Sequence, residues 1–186
     1  MSPRAVLLLA TARCTIKCRR INALRSRAEH DAFLKLVDDH GAVMFGMLRR
    51  LCGNAADADD VFQETAFRVW RNISSLHDVR SPRAWMLSIA YRSFLDRVDR
   101  QRSRQELWDM ADTRVDSPGE QAVKVEEAQR VSVAVEMLSE PLRQVVILHY
   151  TGGLTLREAA AALGCNEGTV KSRLNAAITK LRSILK

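Results

Sequence analysis

The residue types best placed to do chemistry lie between 167 and 173, and that chemistry is non-covalent. Glu167, Thr169, Lys171, Ser172 and Arg173 fall outward on the N-terminal half of a helix whose inner stripe is Val170, Leu174 and Ile178. In a helix-turn-helix, that half of the second helix enters the DNA major groove. There a guanidinium such as Arg173 reads guanine edges, while Lys171 and Ser172 hold phosphates. The bland alternative is a helical hairpin with solvated charges. Against it stands the basic tail: Lys171, Arg173, Lys180, Arg182 and Lys186 have no acid among them. Covalent chemistry finds no equivalent cluster. No nucleophile–base pair or phosphate-cradling glycine loop is present, and His30, His40, His77 and His149 are scattered. Cys14 and Cys18 can share a helical face, yet no nearby His or Cys completes a tetrahedral set. The expectation is no enzyme, no metal and no cofactor.

The elements that must present residues 167–173 are legible. Thr155 is a helix N-cap, and Glu158 three residues on completes a capping box. Leu156, Ala159, Ala160 and Leu163 line one face of the short helix that follows. Gly164 closes it with a left-handed residue, and Asn166 caps the next helix. The spacing Ala160, Gly164, Val170 suits a helix-turn-helix: a small residue for close approach, a glycine for the turn, an apolar residue to lock the second helix.

The rest of the 186 residues reads as helix, with 47% hydrophobic content, enough to build ordered cores. A net charge of +7 favours an anionic partner. The run 5–10 is apolar and follows Arg4, but no stretch approaches the roughly 20 apolar residues of a membrane span, so no membrane insertion is expected. Cys14, Cys18, Cys52 and Cys165 are too few for a disulfide scaffold and read as reduced, inert thiols. Four regions follow: a basic N-terminal extension, 1–27, expected to be poorly ordered; a helical block, 28–103; an acidic linker, 104–125, broken by Ser117-Pro118-Gly119; and a second block, 126–186. The fold class expected is all-α, two small helical domains joined by a flexible acidic linker.

Two sets of motifs resemble one family. Leu138-Ser139-Glu140-Pro141-Leu142-Arg143, then Gly153-Leu154-Thr155 and Gly168-Thr169-Val170-Lys171-Ser172-Arg173-Leu174, are similar to the sigma-4 domain of extracytoplasmic-function sigma factors. In the first block, Asp57-Ala58-Asp59-Asp60-Val61-Phe62-Gln63-Glu64-Thr65 resembles the sigma-2 helix that docks on the β′ clamp helices of RNA polymerase. Pro82-Arg83-Ala84-Trp85-Met86-Leu87-Ser88-Ile89-Ala90, with Asp96 and Arg97 beyond, resembles the helix that melts and reads the −10 element. The resemblance runs over about residues 28–185. It implies an alternative sigma factor acting in the cytoplasm, with core RNA polymerase (β′ clamp helices and β subunit) and promoter DNA as partners. It also implies an anti-sigma factor that masks these surfaces. Carried over residue by residue, Asp57, Asp60, Gln63, Glu64 and Phe67 bind polymerase. Arg80, Arg83, Arg92, Asp96, Arg97 and Arg100 serve the −10 element, and Glu167, Thr169, Lys171, Ser172 and Arg173 the −35 element. The loop 74–81 is implied to capture a flipped base. A stand-alone helix-turn-helix regulator is the alternative function, distinguished by needing no polymerase.

The residues support the docking role. Val61, Phe62, Thr65, Ala66 and Val69 share one side of their helix and face a core; Asp60, Gln63, Glu64 and Arg68 lie opposite, with Phe67 among them as an aromatic anchor. In the third helix, Met86, Ala90, Phe94 and Val98 form one apolar row, Trp85 and Ile89 another. Trp85 has the chemistry to stack on an unpaired base, worth about 1–3 kcal/mol. Amphipathic helices bury such rings routinely, so we expect it in the core. One departure from the family's pattern concerns Asn175, Ala176, Ala177 and Ile178, where a basic pair is common. Fewer cations there imply a weaker backbone grip or an altered −35 preference.

Overall fold

The computed structural model describes residues 26–108 and 125–185, with side chains placed over 26–103 and 130–185. The 1–25 segment, with Cys14 and Cys18, and the middle of the acidic stretch lie outside the described residues. The chain divides into two compact units between Arg102 and Ser103. The described residues are helical, with no strand among them, as the patterning requires.

In the first unit, α1 (Arg27–Cys52) starts at a capping box. The Ser26 hydroxyl accepts from the Glu29 N–H, and the Glu29 carboxylate accepts from the Ser26 N–H. It stops at Gly53, whose φ of 76° is the left-handed conformation that ends a helix without a Cβ penalty. Its buried row is Phe33, Leu36, Val37, Met44, Met47, Leu48 and Leu51. This row packs against α2 (Ala55–Arg71), which buries Val61, Phe62, Thr65, Ala66 and Val69, the side expected from the helical wheel, along with Ala58 and Trp70. Thr65 is polar yet wholly buried, and it is satisfied by donating to the Val61 carbonyl at 2.7 Å. Edge-on rings fill the seam: Phe33 against Trp70 at 5.3 Å and Phe45 against Phe62 at 5.8 Å.

A 3-10 turn (Ile73–Asp78), anchored by buried Ile73, occupies most of the stretch expected to be loop. Helix α3 (Pro82–Trp108) then begins with proline, which fits a first turn because its missing N–H would be unpaired there. The helix continues through 104–108, so the start of the expected linker is helical backbone. Trp85 and Ile89 require a correction. They are half-buried, and the row that joins Met86, Ala90 and Phe94 in the core is Leu87 and Tyr91. Both flanks of the Met86 row are apolar, so periodicity alone could not choose between them.

The second unit opens with α4 (Val125–Glu136), followed by α5 (Glu140–Val146), which runs on into a π-helical turn (Ile147–Thr151). Here the core is Ala134, Val135, Leu138, Val145, Val146, Ile147 and Leu148. Helices α6 (Leu156–Leu163) and α7 (Glu167–Ile184) complete it, with α7 packed on both α5 and α6. The inward stripe of α7 is Val170, Leu174 and Ala177; Ile178, expected in that stripe, is half-buried. A turn of 3.6 residues brings the i+7 position round as readily as i+8, and α7 uses the smaller side chain to sit close.

Candidate functional site

Two faces, one in each unit, carry the residues singled out from sequence. On the first, α2 presents a polar stripe opposite its core side. Its start is fixed by Asn54, whose side-chain oxygen accepts from the Asp57 N–H at 2.8 Å while its amide donates to the Asp57 carboxylate at 3.0 Å. From there Asp60 and Glu64 point outward, with side chains 66% and 45% exposed, and Gln63 and Phe67 are half-buried beside them. Arg71 sits over the Phe67 ring at 5.9 Å, a cation–π contact that keeps the ring at the surface stripe.

The structure joins two sets that sequence reading had kept apart. Arg97 of α3, assigned to DNA, is held by two carboxylates of α2, both assigned to polymerase. One guanidinium nitrogen bonds Asp57, and another reaches Asp60 at 3.3 Å. A second cross-link lies alongside. Arg68 of α2 takes Glu64 of its own helix at 2.9 Å and Asp96 of α3 through its other arm. Asp57 is only 29% exposed within this cluster, and its carboxyl is held below the usual carboxylate range. The Asn54 hydrogen bond is the main cause; burial opposes it, and Arg97 and Gln101 add to the lowering. Beneath lies Cys52, its thiol pushed up to about 11 by burial and by the Asp57 charge, against the opposing pull of Arg97.

The remaining −10 candidates divide by setting. Arg80, just after the 3-10 turn, and Arg92 are exposed, and Arg83 is half-buried at the start of α3. Arg100 is exposed, but its Nε donates to the Asp96 carbonyl at 2.9 Å, which lays it along its own helix. Within the 3-10 turn, Ser74, Ser75, His77 and Asp78 are exposed. Arg68 was missed as a site residue. Its i,i+4 relation to Glu64 was visible in sequence, whereas its bond to Asp96, 28 positions on, was not.

On the second unit, the Thr155 capping box forms as expected. The Thr155 hydroxyl accepts from Glu158 N–H at 3.2 Å, and the Glu158 carboxylate accepts from Thr155 N–H at 2.9 Å. Gly164 takes φ 64°, and its N–H donates to the Ala160 carbonyl. Asn166 caps α7 by accepting from Thr169 N–H at 2.7 Å and from the Thr169 hydroxyl at 2.9 Å. With Val170 locked in the core, Glu167, Lys171 and Ser172 project to solvent, and Thr169 and Arg173 stand half-exposed at the same end. The turn before the motif is also tied down: the His149 ring nitrogen Nδ1 bonds the Leu154 carbonyl at 2.7 Å. Among the described residues no group of three His, Cys, Asp or Glu side chains could hold a metal ion, and no helix is long and apolar enough to cross a membrane.

Comparison with known proteins assigns both units. Residues 36–104 match the family model for Sigma-70 region 2, and residues 128–181 that for Sigma-70, region 4. The ECF RNA polymerase sigma factor SigK of Mycobacterium ulcerans (strain Agy99) is 32% identical over 166 residues, spanning 86% of this chain and 89% of its own. Among solved structures, CnrH in complex with the cytosolic domain of CnrY matches with a TM-score of 0.61 and 25% identity, over 91% of this chain and 95% of that one. The sigma factor RpoE, in complex with the anti-sigma factor NepR from Bartonella quintana, shares the fold. Its TM-score is 0.67 at 21% identity, over 86% of this chain and 98% of that one.

Proposed function

The chain belongs to the sigma-70 family of RNA polymerase sigma factors, in its extracytoplasmic-function group, and on that premise we propose which of its residues do the work. As a sigma factor it binds core RNA polymerase and directs it to promoters, and it catalyses no covalent step itself. The outward stripe of α2, centred on Asp60, Gln63, Glu64 and Phe67, is the polymerase-docking face. Carboxylates and an amide around one aromatic ring suit a basic, helical partner such as the β′ clamp helices, and α2 keeps its apolar side wholly for its own core.

The N-terminal half of α7 reads the −35 element. Arg173 contacts base edges, Lys171 and Ser172 hold phosphates, and Glu167 and Thr169 flank them. The 3-10 turn and the start of α3, with Arg80, Arg83 and Arg92, form the −10 surface. Neither DNA face is expected to bind tightly alone. Once polymerase fixes both, the second contact becomes intramolecular and the affinities compound. The chain acts in the cytoplasm with polymerase. An anti-sigma factor is its expected inhibitor; RpoE, a protein of the same fold, is in complex with the anti-sigma factor NepR. A stand-alone regulator would have no use for the region 2 unit, which is a large share of the chain.

The observation that carries this reading is the side-chain split of α2, where Val61, Phe62 and Val69 are buried and Asp60 and Glu64 are left to solvent. Its test is co-purification of the chain with core polymerase, followed by run-off transcription on genomic fragments. Specific transcripts that require the chain are expected. A chain that fails to bind active core, with anti-sigma factor absent, overturns the reading.

A further inference from the structure

Arg97 is assigned to DNA by resemblance, but its surroundings argue for another task. Its side chain is 25% exposed, and its guanidinium is shared between Asp57 and Asp60. Its Nε is enclosed and makes no hydrogen bond. The neighbouring Arg68 is likewise divided between Glu64 and Asp96. Each arginine therefore sits in a triad with two carboxylates and a net charge of −1. A phosphate approaching either triad meets repulsion at short range, whereas exposed Arg92 makes no ion pair among the described residues. To grip DNA, Arg97 would have to leave two carboxylates that are tied to α2.

We propose that Arg97 is a positioning residue. It sets the register of the promoter-side helix α3 on the docking helix α2, and its arginine fork, not merely its positive charge, is what the site requires. The proposal rests on α2 docking polymerase and α3 facing the −10 element. Two planar donor arms reach two carboxylates one helical turn apart, a task for which a lysine's single ammonium is a poor substitute. With Arg68–Asp96 as the second rung, the pair fixes both the angle and the axial position of α3. Polymerase docking on α2 is thereby transmitted to the −10 surface as a rigid unit.

The test uses full-length chain assembled with core polymerase on one promoter fragment. Promoter affinity is measured across salt concentrations for wild type and Arg97→Gln. Loss of a phosphate contact lowers the log–log salt slope by about 0.7–0.9. The proposal expects the slope unchanged while affinity falls about tenfold at every salt. Each preparation is compared with itself, so a partly folded variant still reports its slope. A second arm compares Arg97→Lys with wild type, scored as open complexes per assembled holoenzyme. Keeping the charge without the fork is expected to lose at least about fivefold. A slope lowered by about one, or an Arg97→Lys variant as active as wild type, overturns the proposal. Wild-type holoenzyme with no promoter preference would instead overturn the functional reading beneath it.

Discussion

Asn54 and Asp57 hold each other at both ends of one helical turn. The Asn54 side chain accepts from the Asp57 backbone and donates to the Asp57 carboxylate. One amide thus starts α2, satisfies an N–H that the helix leaves unpaired, and orients the acid that receives Arg97. Replacing Asn54 with alanine is expected to cost about 1 kcal/mol in urea unfolding, in line with other lost N-caps.

Acid should expose the same contact. Asp57 titrates below its ordinary value of 3.8 in the folded chain, so folding favours its charged form. That contribution is whole above the unfolded value and is lost as pH falls through the lowered one. The stability gap between wild type and Asp57→Asn should therefore hold steady from about pH 7 to pH 5 and shrink below about pH 4. Urea midpoints across this range check it; a gap that widens in acid would contradict the assignment.

Cys52 should be slow to react. With its thiol pushed up to about 11, only about one molecule in a thousand carries the thiolate at about pH 8. Alkylation of the folded chain, followed by mass spectrometry at Cys52, is expected to accelerate roughly tenfold per pH unit between about pH 8 and 10. A rate already saturated at about pH 8 would show that the thiol is not shielded as described.

Two glycines predict opposite responses. A Cβ on Gly152 would lie 2.5 Å from the Leu148 carbonyl oxygen, a backbone atom that cannot swing aside. Gly152→Ala should destabilise the second unit by about 2 kcal/mol. A Cβ on Gly46, within α1, would meet nothing within 4 Å, so Gly46→Ala should stabilise by about 0.5–1 kcal/mol through helix propensity. Chemical denaturation of the two variants measures both signs.

Local rules carried much of this molecule. The caps at Thr155 and Asn166, the glycine turn at Gly164 and the inner face of α2 all depend on neighbours within about four positions, and each is visible in sequence. The flank of α3 that enters the core was not legible, because Trp85 and Ile89 on one side and Leu87 and Tyr91 on the other are equally apolar. Nor were the pairings of Arg97 with Asp57 and Arg68 with Asp96, which join positions 40 and 28 apart. A charge pattern gives each side chain's face on its own helix and does not give its partner on another. This is why Arg97, assigned to the −10 element by resemblance, gave no sign in sequence of its partners on α2.

The central claim is that docking and −35 reading reside on separate faces, and one paired measurement tests it. Core affinity and promoter-specific run-off are determined for Asp60→Lys and Arg173→Ala at physiological salt. Asp60→Lys is expected to weaken core affinity, and the specific transcript with it. Arg173→Ala should keep core affinity and lose about 1–3 kcal/mol of promoter discrimination, roughly 5- to 160-fold in specific transcript. If Asp60→Lys assembles normally, or Arg173→Ala loses core binding along with the transcript, the assignment of the two faces is wrong.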